Sequence, residues 1–167
     1  MSRVRVAIAL GSNLGPRRAH LDYAITRLKS ILTDVAVSSF VETEPVDVGP
    51  QPLYLNAALA GGAAGTPRRL LDALLAIERE RGRERPSPGA PRTLDLDLVL
   101  FGDAIVDEHG LQVPHPRFRE RFFVLGPLAE IAPDLVDPVT GLTVAALLKR
   151  ALKHGGPRGR RGRRDSR

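Results

Sequence analysis

An α+β sandwich, one mainly antiparallel sheet with helices packed on it, is the fold class that this chain of 167 residues predicts. Three observations carry it. Apolar residues recur at a period of two in some segments and at three and four in others, in the order βαββαβ with a further αβ-type extension. No internal repeat interrupts that order. The length suits one domain able to bury a substantial core. Such an order is that of the ferredoxin-like folds.

Arg3 to Leu10 alternate and are rich in Val and Ile, giving a first strand that ends in the loop Gly11 to Pro16. Leu21, Ala24, Ile25, Leu28 and Leu32 then mark an amphipathic helix over Arg17 to Leu32. Val35 to Glu42 reads as a strand, Glu44 to Pro52 as a Pro-rich loop and Tyr54 to Leu59 as the next strand. After the glycines at 61 to 65, Thr66 caps a helix with Pro67 at its first position, and Leu70, Leu71, Leu74, Leu75, Ala76 and Ile77 supply its buried face. The charged run Arg79 to Arg85 and the breakers Pro86 to Pro91 lead into the strand TLDLDLV at 93–99. Beyond Gly102 and Asp103 come a short strand, the proline-bracketed Val113-Pro114-His115-Pro116, a mixed segment Phe118 to Ala132, a turn at 137–141 and a helix Val144 to Leu152. A single domain over 1–153 is expected, followed by a Gly/Arg-rich tail at 154–167 too polar to order itself.

The formal charge of +6 is concentrated in that tail. From Lys149 onward lie nine of the 25 Lys/Arg and one of the 19 acids, leaving 16 bases against 18 acids before it. Nucleic acid is therefore expected to bind at most non-specifically, through the tail. The chain has no cysteine, which excludes disulfides and thiolate chemistry and fits a reducing compartment. No run approaches the roughly 18 apolar residues of a membrane span, and the start leads directly into a strand rather than a leader pattern. A cytoplasmic protein without membrane attachment is expected.

The unusual feature is the strand TLDLDLV. Alternation puts Asp95 and Asp97 on one face and Leu94, Leu96, Leu98 and Leu100 on the other. Two acids about 7 Å apart on one face repel unless water or a cation lies between them, so either a metal site or a wet edge strand explains the pair. Around it stand Arg83, Arg85, Arg92, Arg117, Arg119 and Arg121, whose guanidinium groups suit phosphate oxygens, and His115 on its rigid loop. Hard oxygen ligands suit Mg²⁺ rather than zinc. Carboxylates, cation and arginines together are the components of phosphoryl transfer. The loop Gly11-Ser12-Asn13-Leu14-Gly15 matches neither a Walker nor a Rossmann motif and reads as a strand-to-helix turn.

Blocks in a characteristic order then define a resemblance. They are Ala9 to Gly15 (ALGSNLG), Val37 to Phe40 (VSSF), Tyr54 to Ala58 (YLNAA), Ile77-Glu78, Gly82-Arg83, Pro91 to Asp97 (PRTLDLD), Val113 to Pro116 (VPHP) and Pro127 to Pro133 (PLAEIAP). From Val6 to about Leu148 the chain closely resembles the 6-hydroxymethyl-7,8-dihydropterin pyrophosphokinase family. The resemblance implies a ferredoxin-like fold that moves the β,γ-pyrophosphoryl group of ATP to the hydroxymethyl oxygen of the reduced pterin, releasing AMP. It makes Asp95 and Asp97 ligands of two Mg²⁺ ions, and Arg92, Arg121 and His115 contacts of the ATP phosphates. It puts Arg83 and Arg85 on a loop closing over the nucleotide, Glu78 on the nucleotide side and Leu98 beside the adenine. Asn56 would read the edge of the pterin, Thr43 and Val46 would offer backbone groups to it, and Tyr54 and Phe123 would stack on it. Arg83, Arg92, Asp95 and Asp97 would carry the chemistry, in a chain acting as a monomer.

The departures are local. Where family members carry an arginine and an aromatic, Pro86 to Ala90 stand instead, one residue shorter; Gly110, Gln112 and Leu75 replace polar nucleotide contacts. Arg83, Arg85 or Arg119 is expected to compensate, with Pro86 and Pro88 stiffening the loop. The alternative is a nucleotide- or pterin-binding relative with weak or no turnover.

Overall fold

The computed structural model describes residues 2–44, 52–82 and 93–154. Its main sheet uses β1 (Val4–Ser12), β2 (Thr33–Val37), β3 (Val41–Thr43), β4 (Tyr54–Ala63) and β5 (Asp95–Phe101), in the order β2-β4-β1-β5 with β3 also on β4. Every pairing is antiparallel. Counting β2 and β3 as one broken strand, this is the ferredoxin-like order expected from the sequence.

Where one strand over 35–42 was expected, side chains interrupt the ladder. The Ser38 hydroxyl accepts from the Ala58 N–H at 2.8 Å, and the Ser39 N–H and hydroxyl both donate to Glu130, at 2.9 and 2.8 Å. The VSSF and PLAEIAP blocks are thus two halves of one contact. Strand β4 runs past Leu59 to Ala63, because Gly61 and Gly62 serve close packing rather than a turn. A Cβ on Gly62 would lie 2.6 Å from the Thr33 hydroxyl.

Helix α1 (Arg17–Lys29) and helix α2 (Pro67–Glu80) cover one face of the sheet. There Val6, Ile8, Leu10, Leu21, Leu28, Leu59, Leu74, Ile77, Leu96 and Leu98 form one core. Thr66 caps α2 by accepting from the Arg69 N–H, Pro67 opens it, and Gly82 at φ +73° turns the chain off its end. Of the six residues expected on its buried face, Leu75 is instead exposed. On the other face, the alanines Ala7, Ala9, Ala58 and Ala60 let α3 (Phe122–Ile131) and α4 (Val144–Lys153) lie close over a second core with Phe118, Leu125 and Leu128. Leu100 belongs to this second core, not with Leu94, Leu96 and Leu98. A bulge between Ala7 and Ile8, opposite Val99, inserts one residue into β5 and reverses the faces beyond it.

A hairpin of β6 (Val106–Glu108) and β7 (Leu111–Val113) replaces the single short strand expected after Asp103. Among the described residues no strand follows α3, only the isolated bridge Val136–Thr143. None of the described helices is long and apolar enough to cross a membrane.

Arg119, expected as a possible phosphate donor, is committed elsewhere. Its guanidinium makes a two-point bond to the fully buried Asp137, at 2.6 and 2.9 Å, and Thr140 and the Val139 N–H complete the carboxylate's partners. Burial pushes the Asp137 pKa up, but the Arg119, Thr140 and Val139 bonds outweigh it and hold the group below its ordinary value. The ionised form is thus the native one: its stabilisation is present above the unfolded carboxylate pKa and is lost as pH falls through the lower folded value. Asp137→Ala, which leaves Arg119 without its partner, is expected to cost about 3 kcal/mol in chemical denaturation.

Candidate functional site

Site geometry follows from the register of three strands. In an antiparallel pair, residues opposite each other project to the same face. Gly11 of β1 lies between Asn56 of β4 and Asp95 of β5, and Val41 of β3 extends the row beyond Asn56. The next row joins Ala58, Ala9 and Asp97, and Tyr54 pairs with Thr43 on the other side. Asn56 and Asp95 are therefore two strand spacings apart, about 10 Å. Between them the floor is glycine. The strand continues through Gly11, where a turn was expected, and the positive φ of +73° falls at Gly15. A Cβ at Gly11 would lie 3.4 Å from both the Asn56 Oδ1 and the Tyr54 ring.

The acid end is built on β5. Asp95 and Asp97 are half-buried, whereas Leu94, Leu96 and Leu98 are fully covered, as the alternation requires. Strand β5 is the edge beside β1, and the Leu96 N–H points away from that partner. The buried Glu78 carboxylate of α2 accepts it at 2.7 Å. One side chain thereby fixes the strand between its two aspartates. Asp97 and Leu98 also line a cleft of about 680 Å³ with Leu71, Leu96, His115 and the β6–β7 hairpin. The Arg68 guanidinium braces that hairpin through Glu108 and the His109 carbonyl.

His115 is part of the cleft's lining. Its N–H donates to the Val99 carbonyl at 2.9 Å, and its Nδ1 accepts from the Arg117 N–H at 3.1 Å. An accepting Nδ1 leaves the proton on Nε2, so the neutral ring is a donor there. Burial first, then the charges of Arg121 and Arg117, lower its pKa to about 4 against the opposing pull of Asp95. The same interactions place His115, Arg121 and Asp95 together. The Arg121 guanidinium lies over the Phe123 ring, 5.5 Å from its centre.

At the other end, Asn56 is 4 % exposed and donates to the Val41 carbonyl at 3.3 Å and the Thr43 hydroxyl at 2.6 Å. Both donors of the amide are thus directed and its oxygen is held toward Gly11. Tyr54 and Phe123 are half-buried, on β4 and on the first turn of α3. Val46, Arg83, Arg85 and Arg92, with the whole 86–91 segment, lie outside the described residues. Arg117 is exposed. The structure thus brings together Asp95, Asp97, His115 and Arg121 at one end and Thr43, Tyr54 and Asn56 at the other. Gly11 as floor and the β6–β7 wall were not read from the sequence.

A family model described as 7,8-dihydro-6-hydroxymethylpterin-pyrophosphokinase (HPPK) matches residues 7–133, a span that holds every one of these groups. The chain belongs to the HPPK family. It is 44% identical over 136 residues to 2-amino-4-hydroxy-6-hydroxymethyldihydropteridine pyrophosphokinase of Pseudomonas aeruginosa, covering 80% of this chain and 84% of that one. With the Bacillus subtilis protein of the same name it shares 42% identity over 135 residues, covering 80% and 81%. The Synechocystis protein of that name is 41% identical over 145 residues, covering 85% and 73%. A crystal structure of Plasmodium falciparum HPPK-DHPS superposes with a TM-score of 0.71 at 13% identity, over 92% of this chain but only 46% of that one. That likeness shows that the HPPK fold is shared.

Filling the glycine floor tests its role. Gly11→Val keeps a strand-forming residue at this position but projects bulk between Asn56 and Asp95, and is expected to weaken pterin binding at least about tenfold in calorimetry.

Proposed function

We propose that this HPPK-family chain transfers the β,γ-pyrophosphoryl group of ATP to the hydroxymethyl oxygen of 6-hydroxymethyl-7,8-dihydropterin and releases AMP. The observation that carries the proposal is the row Asn56–Gly11–Asp95. It sets an amide suited to a heterocycle's edge about 10 Å from an acid pair, across a floor with no side chain, which suits a bicyclic ring with its hydroxymethyl arm toward the acids.

Among the described residues no group of three or more His, Asp or Glu side chains gathers to hold a cation unaided. Two same-face carboxylates beside a cleft nonetheless fit Mg²⁺, which keeps several waters and takes one or two carboxylates plus substrate phosphates. Asp95 and Asp97 would hold it, as two ions with ATP bound, and it would supply neutralisation of phosphate charge. The hydroxymethyl oxygen attacks the β-phosphorus, the bond from that phosphorus to the α,β-bridging oxygen breaks, AMP departs with the electron pair, and the hydroxyl proton is released. His115 donates from Nε2 to a phosphate oxygen, and Arg121 places a permanent positive charge beside it. Arg83, Arg85 and Arg92 are assigned further phosphate contacts, with Glu78 and Leu98 on the nucleotide side. Asn56 reads the pterin's edge, Thr43 and Val46 offer backbone groups, and Tyr54 and Phe123 stack on the ring. The chain acts as a cytoplasmic monomer, and its basic tail adds at most non-specific polyanion binding.

The test is AMP formation from ATP and Mg²⁺ by the full chain with and without the pterin. Pterin-dependent AMP is expected. Tight binding of both substrates without AMP would instead make it a binding protein, the alternative motivated by the missing arginine and aromatic in 86–90.

A further inference from the structure

We propose that α1 is a positioning element with two anchors, Arg17 holding the pterin wall and His20, with Tyr23 and Arg27, holding the end of α2 that fixes the acid strand. The proposal rests on the substrate assignment above, and concerns residues to which that assignment gives no role.

Arg17 opens the helix. Its guanidinium donates to the Leu53 carbonyl at 2.8 Å and to the Glu42 carboxylate. Leu53 immediately precedes Tyr54 and Glu42 immediately precedes Thr43, and those two residues pair across β3 and β4. One cation therefore ties both strands where they leave the sheet. Such a bridge braces the Thr43–Tyr54 pair, whose spacing the β3–β4 ladder sets, at the open end of that ladder.

One turn later the same helix grips α2. His20 is 7 % exposed, and its Nδ1 accepts from the Arg81 Nε–H at 2.9 Å. The Arg81 guanidinium also stacks on Tyr23, 4.7 Å from the ring centre. The Tyr23 hydroxyl donates to Glu80, and Arg27 donates to both oxygens of that carboxylate, at 2.7 and 3.0 Å. Three side chains of α1 thus converge on Glu80 and Arg81, the last residue of α2 and its C-cap. Two residues before Glu80, in the same turn, stands Glu78, whose carboxylate holds the Leu96 N–H between Asp95 and Asp97. The chain of contacts runs from α1 through the end of α2 to the backbone of the acid strand. A buried imidazole beside a guanidinium is stable only as a neutral acceptor, and burial and Arg81 both lower its pKa accordingly. His20 is therefore a bond acceptor built into the fold, not a spare titrating group.

The two anchors predict opposite effects on the two substrates. Calorimetric Kd values for a non-hydrolysable Mg-ATP analogue and for the pterin are to be measured on the full chain and its variants, with melting temperatures alongside. His20→Leu removes the acceptor and is expected to weaken the ATP analogue about tenfold while pterin affinity stays within about twofold. His20→Asn, whose Oδ1 can accept where Nδ1 did, is expected to restore most of that loss. Arg17→Gln is expected to show the reverse pattern, weakening the pterin alone by about tenfold. Should His20→Leu fail to fold, Arg81→Met deletes the same bond from its half-buried partner and carries the same expectation. Equal weakening of both ligands in step with melting temperature, no change in either, or no rescue by asparagine would each overturn the proposal. Because Kd values need no turnover, absence of AMP from the parent chain would refute the catalytic assignment and leave this split still decided by binding.

Discussion

Asp95→Asn and Asp97→Asn are each expected to lower kcat for pterin-dependent AMP formation by about 10³-fold, a loss near 4 kcal/mol of transition-state stabilisation. Both carboxylates stand half-buried on the face that carries Gly11 and Ala9, with the Leu94, Leu96 and Leu98 side chains buried on the other. The substitution leaves that apolar face intact, so each variant is expected to fold as the parent does, with its melting temperature recorded beside kcat. Loss of activity from a variant still folded at the assay temperature separates a cation-holding role from a structural one. If either variant kept more than a tenth of the parent's kcat at saturating Mg²⁺, the acid pair would not be the centre of the chemistry.

Asn56→Ala is expected to raise the pterin Kd by about 10³-fold with ATP affinity unchanged, because a polar site that reads hydrogen bonds discriminates by several powers of ten. The effect has a structural component. Asn56 is buried and its amide bonds the Val41 carbonyl and the Thr43 hydroxyl, so its removal leaves those acceptors without that donor and costs about 1 to 3 kcal/mol of stability. Binding measured well below the melting transition isolates the recognition part. An unchanged pterin Kd would place the heterocycle elsewhere than over Gly11.

How much of this was legible in the sequence depends on the range of the interaction that decides it. The central βαββαβ order and the facing of Asp95 and Asp97 are local consequences of periodicity and are legible in the sequence, whereas the break between β2 and β3 and the β6–β7 hairpin are not. The switch of Leu100 to the other core was not, since the bulge at Val99 is imposed by the pairing with Ala7 and Ile8. Gly11 signalled a turn by its residue type, yet pairing on both sides kept it in the strand. Arg119 and Arg121 stand two residues apart with the same chemistry. Only the fold reveals that one faces the buried Asp137 and the other the site beside His115. Glu78 with Leu96, Ser39 with Glu130 and His20 with Arg81 are pairings across long stretches of chain that no local pattern announces. Motif resemblance had marked several of these residues, but not the partner each one holds.

The most direct measurement is the identity of the products. The full chain, incubated with ATP, Mg²⁺ and 6-hydroxymethyl-7,8-dihydropterin, is to be followed by mass spectrometry of the pterin and chromatography of the nucleotide. A pterin carrying two phosphoryl groups, formed one for one with AMP, is the result expected. A singly phosphorylated pterin with ADP, or an unmodified pterin from protein that binds both substrates, would contradict it.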